Sequence, residues 1–342
     1  MTAQALITTE EQQFSIETIR LDEPKPTDIV VETIATGVSI GTEFALIRNK
    51  LSWGPYPLCT GYQGVGTVDW VGSDVDTFSK GATVYYRGNH GSNPRRDGTD
   101  QPVSLVSGTH VSRCVVDSTN AGHGAALLPE GADPAPASLF VMPAVGLFGV
   151  DMANPRMGES VVVYGVGQIG LGVVAACVHR GCDVLAVDLD QEKLELARAF
   201  GAESLVQSTT DDPDGADVES AVRSRFSDGA DVVFECTGIP ALVNPAIRLC
   251  RPYGSFVWQG NYGEGTVPLH FLTPHGKRLR MFFPCDDGQV PCRHAVLRNM
   301  ALGALRWEKV ITHRVAATEA LALYEHINAG ASDVIGAVIL WN

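Results

Sequence analysis

One stretch of the chain leaves little freedom in how it folds. Val161–Tyr164 is a short β-branched and aromatic run, Gly165-Val-Gly167-Gln-Ile-Gly170 follows directly, and apolar residues continue to Val178. A buried strand, a glycine turn and a buried helix satisfy that order of residues. The 18 positions Val161–Val178 carry no charge and approach the length of a membrane span. Gly165, Gly167, Gly170 and Gly172 interrupt the run, and Arg156, Glu159 and Arg180 flank it. The expectation is therefore a strand, turn and helix inside a globular core, with no membrane partner.

The rhythm on either side of this unit differs. After it, predicted strands at Asp183–Val187, Ser204–Val206, Asp231–Cys236, Ser255–Trp258 and Leu279–Phe283 alternate with helices at Gln191–Phe200, Val218–Phe226 and Ala241–Cys250. That alternation predicts an α/β fold with a doubly wound parallel sheet. Before it, short strands at Gln4–Ile7, Phe14–Ile19, Ile29–Ile34, Gly66–Val71, Ala82–Tyr86 and His110–Val116 predict a β-rich part. Gly88–Asp100 reads as an exposed loop. The tail predicts helices at His294–Leu305 and Thr318–Ala329 and a strand at Val334–Leu340.

In the required strand–turn–helix context, the glycine spacing reads as a dinucleotide-binding turn. Gly165 permits the tight turn, Gly167 lets backbone approach a pyrophosphate, and Gly170 lets helix and strand pack closely. Val166, Gln168 and Ile169 complete the set, with the phosphates expected at the helix N-terminus. Asp188 follows Gly170 by 18 residues at the end of VLAVDLD, where a carboxylate accepts the adenosine ribose hydroxyls. Its charge repels a 2′-phosphate, so NAD is expected over NADP. Leu189, Lys193, Thr237 and Gly238 are further cofactor candidates, the last two at the carboxyl end of the predicted strand VVFECTG. A solvated lysine explains Lys193 equally well.

Charge and cysteine content narrow the partners. Twenty-five Lys and Arg against 39 Asp and Glu give −14, which is the wrong sign for binding nucleic acid. Eight scattered Cys and no leader-like N-terminus point to a reduced, cytoplasmic protein acting on a small-molecule substrate. The basic cluster Lys277, Arg278 and Arg280 is expected to meet an anionic ligand or a neighbouring subunit.

Gly41–Glu43 (GTE), GYQGVGTVDWVGSDVDTFSKGATV from Gly61, LPEGADPAPAS from Leu128, the glycine unit and ITHR at Ile311–Arg314 together resemble the medium-chain dehydrogenase/reductase superfamily. The similarity runs from about Ile29 to Leu340. Within it, GVSIGTE with GYQ is most similar to the branch that includes bacteriochlorophyllide hydroxyethyl dehydrogenase. The resemblance implies a Rossmann NAD-binding domain at 144–287 and a discontinuous, β-rich GroES-like catalytic domain at 1–143 and 288–342. It also implies a homodimer or homotetramer.

Relatives that hold a catalytic zinc bind it through Cys, His and a further Cys or Glu. Here those positions read Ile40, Tyr62 and a residue near Met142, none of which supplies the thiolate, imidazole or carboxylate set that zinc uses. Cys59 is a lone thiol, Gly88–His110 lacks the structural-zinc cysteines, and Cys285 and Cys292 read as ordinary thiols. A metal-free member is implied. Thr42 then matches the proton-relaying hydroxyl, and Tyr62 offers a phenol where the zinc-ligand His stood. Gln63 and Glu43 match residues that orient them, and His90 and His110 are additional acid/base candidates. The expected function is hydride transfer between a secondary alcohol and NAD. The alternatives are an NADPH-dependent quinone or enoyl reductase of the same fold and a non-catalytic NAD-binding protein. A third is a serine hydrolase at Gly37-Val-Ser39-Ile-Gly41, disfavoured because this motif lies outside the parallel sheet.

Overall fold

The computed structural model describes residues 1–341 except 52, 92, 93 and 213. It divides into two compact units, Met1–Phe140 with Leu297–Asn342, and Val141–Val296.

The second unit is built on six parallel strands. Across the sheet they run Ser204–Gln207, Asp183–Asp188, Ser160–Tyr164, Ala230–Glu235, Cys250–Trp258 and Arg280–Phe282. Val161, Val162, Val163, Val184, Val187, Val233 and Phe234 are all fully buried. Their strands read as continuous apolar runs because helices cover both faces. The order reverses between Ser160–Tyr164 and Ala230–Glu235, and open sheets of this kind bind ligands outside the carboxyl ends at that reversal. The charge-free run Val161–Val178 is thus a strand plus the helix Gln168–His179. Among the described residues no helix is long and apolar enough to cross a membrane.

The helix Val141–Ala153 has no counterpart in the sequence reading. Its Pro143, Gly146 and Gly149 weaken every local helix signal. Tertiary packing supplies the reason for two of the small residues. A Cβ on Gly146 would stand 2.7 Å from the Ile169 carbonyl oxygen, and one on Gly172 would stand 2.7 Å from Pro143 Cα. The two helices approach backbone to backbone there. The predicted helix Ala241–Cys250 is instead a short 3₁₀ turn, Pro240–Leu242, and a helix Val243–Arg248, with Cys250 already in the next strand. Lys277 corrects another expectation, because its ammonium donates to the carbonyls of Arg248 and Cys250, both at 2.6 Å. It pins chain to chain and is spent on structure.

In the first unit, the eleven-residue strand Asp28–Val38 organises the larger sheet. One edge pairs with Gly64–Val71, and the other pairs first with Arg113–Asp117 and then with Gly336–Leu340. The C-terminal strand therefore lies directly against residues 35–38, three hundred positions earlier in the chain. Ile311–Ala316 follows it in parallel as the last strand. A second, five-stranded sheet holds Thr2–Thr8 and Phe14–Arg20. Of the predicted loop Gly88–Asp100, residues 92 and 93 lie outside the described set, while Arg95–Arg96 form a short strand pairing with Ile19 and Arg20. The helix Thr42–Ile47 leaves the end of Asp28–Val38 and packs Phe44 and Ile47 against Tyr324 and Leu323 of the helix Ala320–Asn328.

Gly170 makes the tightest approach to backbone in the second unit, since a Cβ there would stand 2.0 Å from the Gly165 carbonyl oxygen. Overpacking a rigid contact of this kind costs about 1–3 kcal/mol. Gly170→Ala should lower unfolding free energy by at least that amount in urea titrations. An unchanged midpoint would show that the turn is not locked against the helix.

Candidate functional site

The glycine turn combines three different steric demands. Gly165 sits at φ +90°, a left-handed conformation that other residues rarely adopt, with Thr237 packed 2.7 Å from the place of a Cβ. Gly170 is the close packing point described above. Gly167 caps the helix Gln168–His179, and a Cβ on it would meet nothing within 4 Å. No side chain caps this helix start. Free N–H groups, the positive end of the helix dipole and open space above Gly167 fit a pyrophosphate. Val166 and Gln168 are buried within the turn.

Asp188 closes the other side of the turn. Its Oδ2 accepts the Val166 N–H at 2.8 Å and its Oδ1 accepts the Asp190 N–H at 3.0 Å. A carboxylate has about four acceptor positions, so capacity for ribose hydroxyls remains. Leu189 is half-exposed beside it, and its carbonyl is held by Gln207 Nε2 at 3.0 Å. Lys193 lies 3.6 Å from the carboxylate of Asp190, the residue that caps the next helix, so its charge is already matched.

Thr237 and Gly238 are anchored by a buried carboxylate that sequence reasoning passed over. Glu235, the last residue of its strand, is fully buried and accepts from the Thr237 N–H at 2.9 Å and the Gly238 N–H at 3.3 Å. The hydroxyls of Thr237 and Tyr262 also donate to it. Burial pushes the Glu235 carboxyl above its ordinary range in spite of these donors. Gly238 turns at φ +67°, where a Cβ would strike the Asn261 carbonyl. VVFECTG is thus a strand whose own terminal Glu fixes the loop that follows.

In the first unit, Glu43 lies at the first turn of its short helix and is fully buried. Oε1 accepts the Ser39 N–H at 2.7 Å. Oε2 meets Thr60 Oγ1 at 2.9 Å, Tyr324 OH at 2.8 Å and His110 Nε2 at 3.0 Å. Burial by itself would raise this carboxyl, but His110 together with the Ser39 and Tyr324 donors holds it below the ordinary range. His110 continues through Nδ1 to Thr36 Oγ1 at 2.8 Å, which also accepts Trp341 Nε1–H at 3.0 Å. Glu43 is therefore a buried junction, and His110 is its partner. Histidine so placed orients a carboxylate; it has no open face.

Tyr62, Ser39 and Thr42 form a separate hydroxyl group. The Tyr62 phenol donates to Ser39 Oγ at 2.5 Å. Burial pushes it up to about 12, against the opposing pull of the Ser39 and Thr42 hydroxyls. Arg87 stacks over its ring at 5.5 Å. Gln63 is fully buried, with its N–H on Thr109 Oγ1 at 3.2 Å and its side-chain amide reaching the Gly37 carbonyl. Ser39 is accepting from a phenol and sits at the end of an antiparallel strand, so it lacks the base and the parallel sheet a nucleophile elbow needs. Tyr324, Thr60 and Trp341 were missed because nothing local marks them as partners of Glu43 and Thr36, while Ser39 stood out in a different role, as a candidate nucleophile, and His110 as a titratable residue.

Zinc does not fit the side chains at the superfamily's ligand positions. Ile40 has no donor atom and packs in the core around Tyr324, and Tyr62 is a protonated phenol already committed to Ser39. Cys59 is buried among apolar residues, which raises its thiol well above the ordinary range and disfavours the thiolate that binds metal.

A parallel α/β sheet with this glycine turn and a β-rich unit in one chain is the fold of the two-domain pyridine-nucleotide dehydrogenases. A family model for zinc-binding dehydrogenases matches residues 169–298. D-xylulose reductase of Saccharomyces cerevisiae is 32% identical over 186 residues, 53% of this chain and 51% of the yeast enzyme, so the chain spans about half of that relative. The fold matches a Sinorhizobium meliloti 1021 protein classed as a zinc-binding dehydrogenase and solved with NADP, at TM-score 0.82 and 23% identity, covering 100% of this chain and 99% of that one. It also matches an alcohol dehydrogenase of Escherichia coli CFT073 complexed with NADH, at TM-score 0.82 and 18% identity, covering 99% of each. Residues 169–298 thus resemble the zinc-binding dehydrogenases in sequence, and the chain shares the fold of the solved dehydrogenases it matches.

Two outcomes test these sites. Gly167→Ala adds a methyl group to open space, so folding stability should hold while NADH affinity, read by nucleotide fluorescence, falls about tenfold, or 1.4 kcal/mol. Glu43 has its carboxyl lowered on folding from an ordinary 4.5, so its ionised form stabilises the fold above that pH and the contribution drains away as pH falls through the folded value. Glu43→Gln should therefore cost about 3 kcal/mol at pH 7, and the gap to wild type should narrow below pH 4.5. A gap that stays constant on acidification would contradict the lowered carboxyl.

Proposed function

We propose that this protein is an NAD(H)-dependent oxidoreductase that interconverts a secondary alcohol, of polyol or sugar-like type, and its ketone without a catalytic zinc. The observation that carries the reading is the Gly165–Gly170 turn with Asp188 hydrogen-bonded across it. Bound NAD(H) would supply the hydride acceptor or donor at its nicotinamide ring. The chain's part is to hold the nucleotide. The Gly167 helix start receives the pyrophosphate, and Asp188 receives the adenosine ribose and disfavours a 2′-phosphate. The NADP-bound neighbour shares the fold, so cofactor choice rests on Asp188 in this chain.

The proton side of the reaction is assigned to Tyr62, Ser39 and Thr42. A phenol raised to about 12 stays protonated at neutral pH, so Tyr62 acts as a donor to the substrate oxygen. In ketone reduction the Tyr62 O–H turns from Ser39 to the substrate oxygen, and the proton it delivers is replaced from solvent through Ser39 and Thr42; in alcohol oxidation the alcohol proton passes along the same hydroxyls to solvent. The named activity of the xylulose reductase relative supports the polyol class.

The reading extends to assembly as a homodimer or homotetramer. Arg280–Phe282 is the last strand of its sheet, and Phe271, Leu272 and Phe283 are exposed near it in sequence. Light scattering on the purified chain should give a mass at least twice that of the 36.5 kDa protomer.

Asp188→Ala should weaken NADH about 10- to 100-fold, the range for hydrogen bonds to a charged group, and narrow the preference over NADPH. Tyr62→Phe should lower kcat about 10²-fold or more with NADH affinity unchanged. The assay is NADH formation over a panel of secondary alcohols and polyols. An unaltered cofactor ratio, or a full rate without the phenol, would remove each residue from its role.

A further inference from the structure

The return segment of the first unit carries a side-chain cluster that neither the dinucleotide site nor the hydroxyl group uses. His313 stands on the sheet's last strand, Ile311–Ala316, and His326 on the final turn of the helix Ala320–Asn328. Asp333 lies between that helix and the strand Gly336–Leu340. Asp333 Oδ1 is 2.8 Å from His326 Nε2 and its Oδ2 is 3.8 Å from His313 Nε2. One ligand atom from each residue falls within 4.8 Å of the other two. Among the described residues this is the one grouping of three such side chains that could hold a metal ion.

The contacts behind His313 turn its Nε2 toward Asp333 and its Nδ1 toward a backbone-anchored hydroxyl. Thr312 Oγ1 gives its single proton to the Gly336 carbonyl at 3.2 Å and accepts the Ile335 N–H at 3.0 Å. His313 Nδ1 lies 3.0 Å from the same oxygen, within reach to donate to it. In that tautomer Nε2 holds its lone pair 3.8 Å from the Asp333 carboxylate. Such a pairing is favourable when a cation, either a proton or a metal ion, lies between the two. Metal-bound histidines show this arrangement, with the second ring nitrogen donating to an oxygen that fixes the tautomer.

We propose that His313, His326 and Asp333 form a surface site for a divalent transition-metal ion, with Zn²⁺ the best match. Two imidazoles and one carboxylate suit zinc, with water completing a tetrahedron. Zinc–nitrogen distances of about 2.0–2.1 Å place neighbouring ligand atoms about 3.3 Å apart. The present separations straddle that value, and the His326 and Asp333 side chains are 49% and 58% exposed, free to adjust and open to an entering ion. Binding displaces the proton that His326 Nε2 shares with Asp333. The ion would tie strand, helix and the lead-in to Gly336–Leu340 together, and so stiffen the strand that pairs with residues 35–38 just before Ser39.

The test uses the full chain, freed of metal by a chelator and dialysed, with Zn²⁺ alone as the probe. Zinc per chain is measured by elemental analysis after equilibrium dialysis, alongside the thermal midpoint with and without zinc. Wild type and Cys285→Ser, which removes the exposed thiol as a rival ligand, should hold the same single equivalent and gain in midpoint. His326→Gln and Asp333→Asn should each lose that equivalent and the gain, while unfolding in metal-free buffer as wild type does. Zinc retained equally by both variants, or no zinc bound by wild type, would overturn the proposal.

Discussion

The first unit closes on a single buried carboxylate. Glu43 receives the Ser39 N–H and faces the side chains of Thr60, His110 and Tyr324, so four separate parts of the chain converge on two oxygens. Removing any one donor leaves a buried charge short of compensation, which is far costlier than a lost surface contact. Tyr324 comes from the C-terminal helix and Trp341 from beyond the last strand, and both feed this network. The network also sets the place of Ser39, and through Ser39 that of the Tyr62 phenol. The polar group assigned to proton transfer is therefore held by an anion that is itself fully buried.

Glu235 repeats this device in the second unit. A buried carboxylate at a strand's end gathers the N–H groups of Thr237 and Gly238 and shapes the loop at the sheet's carboxyl edge. Thr237 in turn packs against Gly165, so the loop and the glycine turn constrain one another. In both units, an acidic residue buried for structural reasons positions backbone and hydroxyl groups that could meet a ligand. Much of the chain's net charge of −14 is solvated, but these two carboxylates have specific work inside.

Legibility in the sequence followed the range of the interaction. The alternation after residue 159, the strand–turn–helix at 161–179 and Asp188 are local patterns, and the structure has a parallel strand and helix wherever those patterns are strong. The helix Val141–Ala153 escaped because its glycines answer to a neighbouring helix, which a single window of sequence cannot contain. Lys277 looked like part of a basic patch until the carbonyls of Arg248 and Cys250, at a helix end and a strand start, claimed it. His110 was visible as a titratable residue, but its role depends on Glu43, 67 positions away.

By itself the sequence determined the α/β class and the dinucleotide turn, because each is written in short-range spacing; the residues standing where relatives keep zinc ligands were legible only through the family resemblance. Tertiary structure alone decided which hydroxyls and carboxylates meet. It joined Tyr62 to Ser39, Glu43 to Tyr324, Glu235 to Tyr262, and His313 to His326 and Asp333. Those pairings span up to 281 residues. Hydrogen bonds act over about 3 Å, so partners this far apart in sequence become neighbours only when the sheets bring their strands together.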